Sequence, residues 1–221
     1  TSVPATRQTR PTTTGTAMAS RLGKTGPDTP EQEGKMEELS LHILDIVENS
    51  VSAGATLVEI RIEYRFGEKP WLTITVRDNG RGMSPEVAGR VSDPFYTTRT
   101  TRKVGLGTAL FRQTAELAGG SFRVWSEPGK GTEVTAELNP LHLDAVPMGD
   151  LGGTYGVLVQ TSPGVELVLH AVCDGREFTA DTRQFREILG DVPLDTPEVI
   201  AFLTEFVREN FAEILRGSPL A

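Results

Sequence analysis

From residue 39 to residue 52 apolar side chains recur at Leu39, Ile43, Ile46 and Val47, with Val51 continuing the same broad face. This spacing predicts a helix that ends near Gly54. Val58, Ile60, Ile62 and Tyr64 then alternate with Glu59, Arg61, Glu63 and Arg65. A period of two predicts a half-buried strand with its charges facing water, and residues 72–76 are its expected hairpin partner. A short helix over residues 86–91 and a longer one over 108–118 follow. Strands over 121–126 and 132–138 come next, joined through Glu127-Pro128-Gly129-Lys130-Gly131. The order of helix, two strands, helices and two strands predicts an α+β sandwich, a sheet with helices on one face.

After Pro140 the pattern restarts. Residues 155–160 and 165–172 read as strands, 183–189 as a short helix and 197–215 as a long amphipathic one, with Thr196 and Pro197 as its start signals. Residues 150–216 are therefore expected to form a small second α+β unit, and the stripe Val199, Phe202, Leu203, Phe206, Phe211, Leu215 to be its core. The opening 1–35 stretch has the opposite character. It is rich in Thr, Pro and Gly, with Val3, Met18 and Leu22 almost its only large apolar side chains, so it reads as a polar tail that buries too little surface to fold. Arg7, Arg10, Arg21 and Lys24 precede the first acid, Asp28, which also suits a transit peptide; Met36 as the working start is a third reading.

Composition narrows the function classes. The 221 residues carry a net charge of −8 and are 38% hydrophobic. An acidic chain is a poor general grip on nucleic acid, whose phosphates are held mainly by Lys and Arg. No segment approaches the apolar length of a membrane span. The single cysteine, Cys173, excludes an intrachain disulfide and a cysteine-cluster metal site, and suits a reducing, cytoplasmic location.

Candidate chemistry gathers in the first half. Asp78-Asn79-Gly80-Arg81-Gly82-Met83 follows the β-rich run 72–77. A carboxylate at a strand end can accept from the exocyclic amine of adenine, and glycines let backbone approach a flat base. A strand followed by an Asn-Gly turn is the plainer reading of the same residues. Asp45 and Asn49 lie one helical turn apart on one face, as a magnesium-nucleotide site would need, with Asn49 as the hard oxygen ligand and Asp45 polarising a water or hydroxyl; a polar stripe on the solvent side of the helix is the plainer reading of the pair alone. Arg99, Arg102 and Lys103 precede Gly105-Leu106-Gly107-Thr108, a glycine-rich helix start of the kind that closes around phosphate oxygens. At Gly131-Thr132 a hydroxyl at a strand start stands ready to join Asp78 at the base edge.

Taken in order, Asp45-x-x-x-Asn49, Asp78-x-Gly80-x-Gly82, Asp93-Pro94-Phe95, Gly105-x-Gly107 and Gly131-Thr132 resemble the GHKL superfamily of gyrase, heat-shock chaperone, histidine kinase and MutL ATPases. Residues 49–56 are similar to MutL-type members, and Pro94-Phe95-Tyr96-Thr97-Thr98 resembles histidine kinase domains. The resemblance covers about residues 39–138 within an expected domain of 36–140. It implies the Bergerat fold, with ATP and Mg2+ as ligands, Asn49 on magnesium and Asp78 on adenine, and residues 96–107 as a lid over the phosphates. The implied nucleotide-binding set also takes in Gly80, Gly82, Met83, Phe95, Thr98, Arg99, Lys103, Gly105, Leu106, Gly107, Thr108 and Thr132.

Three departures bear on the activity. Asp45 stands where MutL and gyrase carry Glu, which leaves hydrolysis open; Glu48 is the alternative acid, although it projects about a hundred degrees away from Asn49. Lys103 replaces the glycine that often opens the second lid motif. No helical hairpin bearing a phosphoacceptor histidine precedes residue 36; His42 shares one face with Asp45 and Asn49, and is read first as a partly buried, hydrogen-bonded histidine. The resemblance implies a stand-alone protein kinase that passes the γ-phosphate to a partner protein, with a homodimer as a further association. The alternative is a regulatory ATPase or nucleotide sensor whose lid controls partner binding.

Overall fold

The computed structural model describes residues 38–91 and 107–221. The chain divides into residues 1–33 and residues 34–221, and every described residue belongs to the second unit. The expected tail of 1–35 lies outside the described residues.

Helix α1 spans Leu39–Ser52 and buries Leu39, Ile43, Ile46 and Val47, the periodic positions of the sequence. Its first N–H groups are satisfied without a side-chain cap: Leu39 donates to the Pro147 carbonyl and Ser40 to that of Met148. Strand β1 (Leu57–Arg65) and β2 (Trp71–Asp78) pair antiparallel, with Ile60 opposite Val76 and Ile62 opposite Ile74. A short α2 (Pro85–Ala88) opens on the Ser84 cap. Helix α3 (Gly107–Leu117) leads into the antiparallel pair β3 (Ser121–Glu127) and β4 (Gly131–Leu138), and β4 lies against β2.

The remaining elements are α4 (Leu151–Thr161), β5 (Glu166–Cys173), β6 (Arg176–Asp181), α5 (Thr182–Leu189) and α6 (Pro197–Leu215). All six strands form one mixed sheet in the order β3-β4-β2-β1-β5-β6. One sheet face carries the core: Val58, Ile60, Ile62, Leu72, Ile74, Val76, Val134, Ala136, Leu167, Leu169 and Ala171 are all buried beneath the helices. The other presents Glu59, Arg61, Arg77, Glu133, Thr135 and His170, none of them buried. A sheet buried on one side only needs helices on one face, so the α+β sandwich is as its patterning demands.

Two expectations are corrected. The break between 140 and 150 is not a break in the fold, because β5 runs parallel to β1, pairing Ile60 with Leu169, and residues 150–216 share one hydrophobic cluster with α1 and β1–β4. A parallel partner has to arrive by a long crossover, here through α4, and nothing in a local pattern marks where it will land. Residues 155–160 are also not a strand but the body of α4, in which Leu151, Tyr155, Leu158 and Val159 are buried. Their β-branched and aromatic character is a strand composition. Gly152 and Gly156, one turn apart, decide otherwise: a β-carbon at the first would strike the Thr204 carbonyl and at the second the Thr204 hydroxyl, so α4 needs both glycines to lie close against α6. Strand β6 is absent from the sequence reading, although Asp174 (φ 47°) and Gly175 (φ 87°) form the two-residue Asp-Gly turn that favours a hairpin.

Candidate functional site

The C-terminal end of α1 and the last residue of β2 lie side by side. Asp78 closes β2 and is only 7% exposed. Its Oδ2 accepts from the Ser50 hydroxyl at 2.7 Å, and its Oδ1 accepts from the Gly80 N–H at 2.8 Å and the Thr132 N–H at 3.2 Å. All three donors are neutral. A carboxylate offers about four acceptor positions, so Asp78 is locked in place with room for one more N–H.

The glycines around it serve chain crossings. Gly82 takes φ 65° and Gly131 φ 100°, both left-handed. A β-carbon at Gly82 would run into the carbonyl of Glu127, and one at Gly131 into the carbonyl of Asp78 itself. At Gly80 a β-carbon would lie 3.0 Å from Asp78 Oδ1 and 3.2 Å from the Ala53 side chain. The glycine loop is thus folded tightly against α1 on one side and the β3–β4 turn on the other. Asn79 is turned away from the carboxylate, accepting from the N–H groups of Thr56 and Leu57 and donating to the Thr56 hydroxyl. The Met83 N–H donates to Ser126 Oγ at 2.8 Å, and that hydroxyl lies 2.9 Å from Thr132 Oγ1.

Three members of this arrangement are missing from the sequence reading as site residues: Ser50, Ser126 and Gly131. Ser50 sits directly after Asn49 and looks like part of a small-residue helix end. Only the packing of α1 on β2 shows it facing Asp78, 28 residues away. Gly131 was legible as a turn glycine, but its tight approach to Asp78 is a matter of β2–β4 register.

On α1, Asp45 is half-buried, while Glu48 and Asn49 are exposed. The Asp45 carboxylate occupies the space that a side chain at Gly107 would fill, at the first residue of α3. One turn earlier His42, 1% exposed, stacks on Phe111 with ring centroids 5.0 Å apart and an interplanar angle of 6°. Its Nε2 lies 3.1 Å from Thr114 Oγ1. Burial pushes its pKa down to about 4, so the ring is neutral near pH 7. His42 is therefore a core histidine of the α1–α3 seam. Thr108 is buried in the first turn of α3. Phe95, Thr98, Arg99, Lys103, Gly105 and Leu106 lie outside the described residues.

The model of the histidine kinase-, DNA gyrase B- and HSP90-like ATPases matches residues 34–142. These residues form an ATPase domain of that GHKL family. The domain holds α1–α3 and β1–β4, and every predicted site residue falls within it. It is of the ATP-binding, histidine kinase-like class. Among its relatives, the non-motile and phage-resistance protein of Caulobacter vibrioides is 30% identical over 128 residues, covering 53% of this chain and 15% of that one. The sensor histidine kinase DcuS of Escherichia coli K12 is 29% identical over 110 residues, covering 48% and 20%. The sensor protein kinase FleS of Pseudomonas aeruginosa is 35% identical over 106 residues, covering 48% and 25%. The chain spans at most a quarter of the length of these three relatives. Among the described residues no helix is long and apolar enough to cross a membrane.

Proposed function

We propose that this chain binds ATP with Mg2+ in the pocket at the end of β2 and passes the γ-phosphate to a partner protein. The observation that carries the proposal is Asp78: a buried strand-end carboxylate held by three neutral donors, with one acceptor position left for the amine of adenine. Gly80, Gly82, Met83 and Thr132 frame the base. Thr132 gives its N–H to Asp78 and keeps its hydroxyl beside Ser126, which fixes the base edge of the pocket.

Asn49 is exposed one turn beyond Asp45, and its amide oxygen suits magnesium, which takes one or two protein ligands and completes its shell with phosphates and water. When bound, Mg2+ supplies neutralisation of the charge that develops on the phosphates. The start of α3, Gly107 and Thr108, presents the positive end of a helix dipole to that anion. Phe95, Thr98, Arg99, Lys103, Gly105 and Leu106 belong to the same proposal as the lid. Asp45 or Glu48 is the acid proposed to act on the attacking group. A cytoplasmic location and a homodimer are proposed with it, the latter checked by light scattering of the full chain.

A second reading, a regulatory ATPase or nucleotide sensor, is favoured by the sheet. Residues 150–216 build on the same six strands as the pocket, so a change of state at β2 or α1 has a rigid route to α4 and α6. The two readings separate in one experiment with γ-labelled ATP and a cell lysate. Label on a second protein supports the kinase; label released only as free phosphate, or retained as bound ATP, supports the sensor. Absence of ATP binding by calorimetry would overturn both.

A further inference from the structure

Large apolar side chains gather on the outer side of α5 and α6. Phe202, expected in the core stripe of α6, is 57% exposed: the helix buries Val199, Leu203, Val207 and Phe211, and the neighbouring face is left outside. Ile188 is 79% exposed and Val192 47%. Phe185 on α5 meets Phe206 on α6 with ring centroids 5.5 Å apart, and Phe202 meets Phe206 at 6.2 Å. Ile188 follows Phe185 by three residues and Phe202 precedes Phe206 by four, so each shares a helix face with its neighbour. Both lie toward the 190–196 connector, which carries Val192. These five side chains form one patch across two helices, the kind of surface that marks an interaction site.

The charges around the patch are one-sided. Between residues 182 and 216 every basic side chain is already paired: Arg183 with Asp181, Arg186 with Glu166, Arg208 with Asp150 and Arg216 with Glu213. Glu187 beside Ile188, Asp191 beside Val192, and Glu198 and Glu209 on the Phe202 face of α6 make no ion pair among the described residues. We propose that this patch is a docking surface for a basic amphipathic helix of a partner protein, its apolar stripe on Phe202 and Ile188 and its Lys and Arg side chains on the acidic rim. The surface uses no residue of the proposed nucleotide site. Apolar burial supplies the affinity, while the rim charges select a positive partner and speed its approach. A second copy of the chain would set the same acids against each other, and nucleic acid or an anionic membrane would be repelled likewise.

The test is titration of the full chain, followed by fluorescence anisotropy, with a synthetic helical peptide of about 18 residues carrying leucines along one face and lysines elsewhere. It is expected to bind. A peptide of the same composition in scrambled order should bind at least about tenfold more weakly, and one with glutamates in place of the lysines should not bind. Phe202→Ser is expected to lower affinity about tenfold, as for loss of an interface anchor. Leu143→Ser, at a side chain 97% exposed and outside the patch, is expected to change nothing. Glu198→Gln combined with Glu209→Gln should cost about threefold at low salt and less at high salt. Thermal unfolding of each variant checks that it remains folded. Equal binding of the ordered and scrambled peptides, or equal losses in Phe202→Ser and Leu143→Ser, would reveal a general attraction to an acidic chain and overturn the proposal. Absence of binding by the ordered peptide would overturn it too, as would light scattering that shows a dimer lost in Phe202→Ser, since the occupant would then be a second copy.

Discussion

Two buried aspartates end two strands of the same sheet and are put to different uses. Asp78 ends β2 and is 7% exposed; Asp181 ends β6 and is 6% exposed. Asp181 accepts from the backbone N–H of Arg183 at 2.9 Å and is gripped by the Arg183 guanidinium, whose Nη2 lies 2.7 Å from Oδ2. The side-chain hydrogen bond from Arg183 is the main reason its pKa lies below the usual carboxylate range. Charge and hydrogen-bonding capacity are both satisfied within the protein, and the residue caps α5. Asp78 has only neutral donors and one acceptor position in reserve. A buried carboxylate closed by an arginine serves the architecture; Asp78, fixed by neutral groups alone, is the one proposed to take a ligand. Closure by arginine recurs around 150–216, where Asp150 pairs with Arg208 and Glu166 with Arg186.

The sharpest way to break this comparison is Asp78→Asn. Removing the charge while keeping one carbonyl oxygen is expected to weaken ATP binding by roughly tenfold to a hundredfold, as for loss of a charged hydrogen bond, with little change in the folded state. Calorimetry and circular dichroism check the two halves of that statement, and unchanged affinity would sink the adenine assignment. Asp181→Asn, by contrast, is expected to leave ATP affinity alone.

The glycines extend the contrast to the backbone. Gly82→Ala adds a β-carbon against the Glu127 carbonyl at a left-handed φ, and a loss of about 3 kcal/mol is expected from strain and displacement together. Gly175, equally left-handed in the β5–β6 turn, has open space around it, so Gly175→Ala is expected to cost about 1 kcal/mol. Urea unfolding of the two variants measures the difference, and equal losses would show that the loop around Gly82 can relax.

His42 supplies a pH signature. Its folded pKa is near 4 against about 6.5 unfolded, so the unfolded chain takes the proton first as pH falls. The stability of the neutral ring is fully present above pH 6.5 and is lost between about 6.5 and 4, by no more than about 3 kcal/mol. Substitution by Phe should flatten that window in a stability-against-pH series; an unchanged slope would show that other groups carry it.

The smallest expected effect is Arg183→Ala. It leaves Asp181 buried without its cation, so stability at neutral pH should fall slightly. The acid-side loss, which in the parent begins as pH drops below the ordinary Asp value, should become shallower because the folded pKa is no longer depressed. ATP affinity is expected not to change.

Much of the first half was legible without coordinates. Leu39, Ile43, Ile46 and Val47 stand at the spacing of a helix that buries one face, and Val58 to Tyr64 alternate as a strand must. Asp78 at the end of β2 and Gly107 at the start of α3 fall where the motif order put them. Residues 155–160 misled because their composition reports β-propensity, while Gly152 and Gly156 report a helix seam visible only once α6 is beside them.

By itself the sequence determined the main elements described between residues 39 and 138 and the family of the domain, because periodicity and motif order act over a few residues at a time. The tertiary structure alone decided that Ser50 and Thr132 would hold Asp78, that Asp45 would lie on Gly107, and that β5 would join β1 across a hundred residues to make one sheet of two expected units. Those pairings are settled by which apolar faces can be buried together, and no local stretch of chain carries that information.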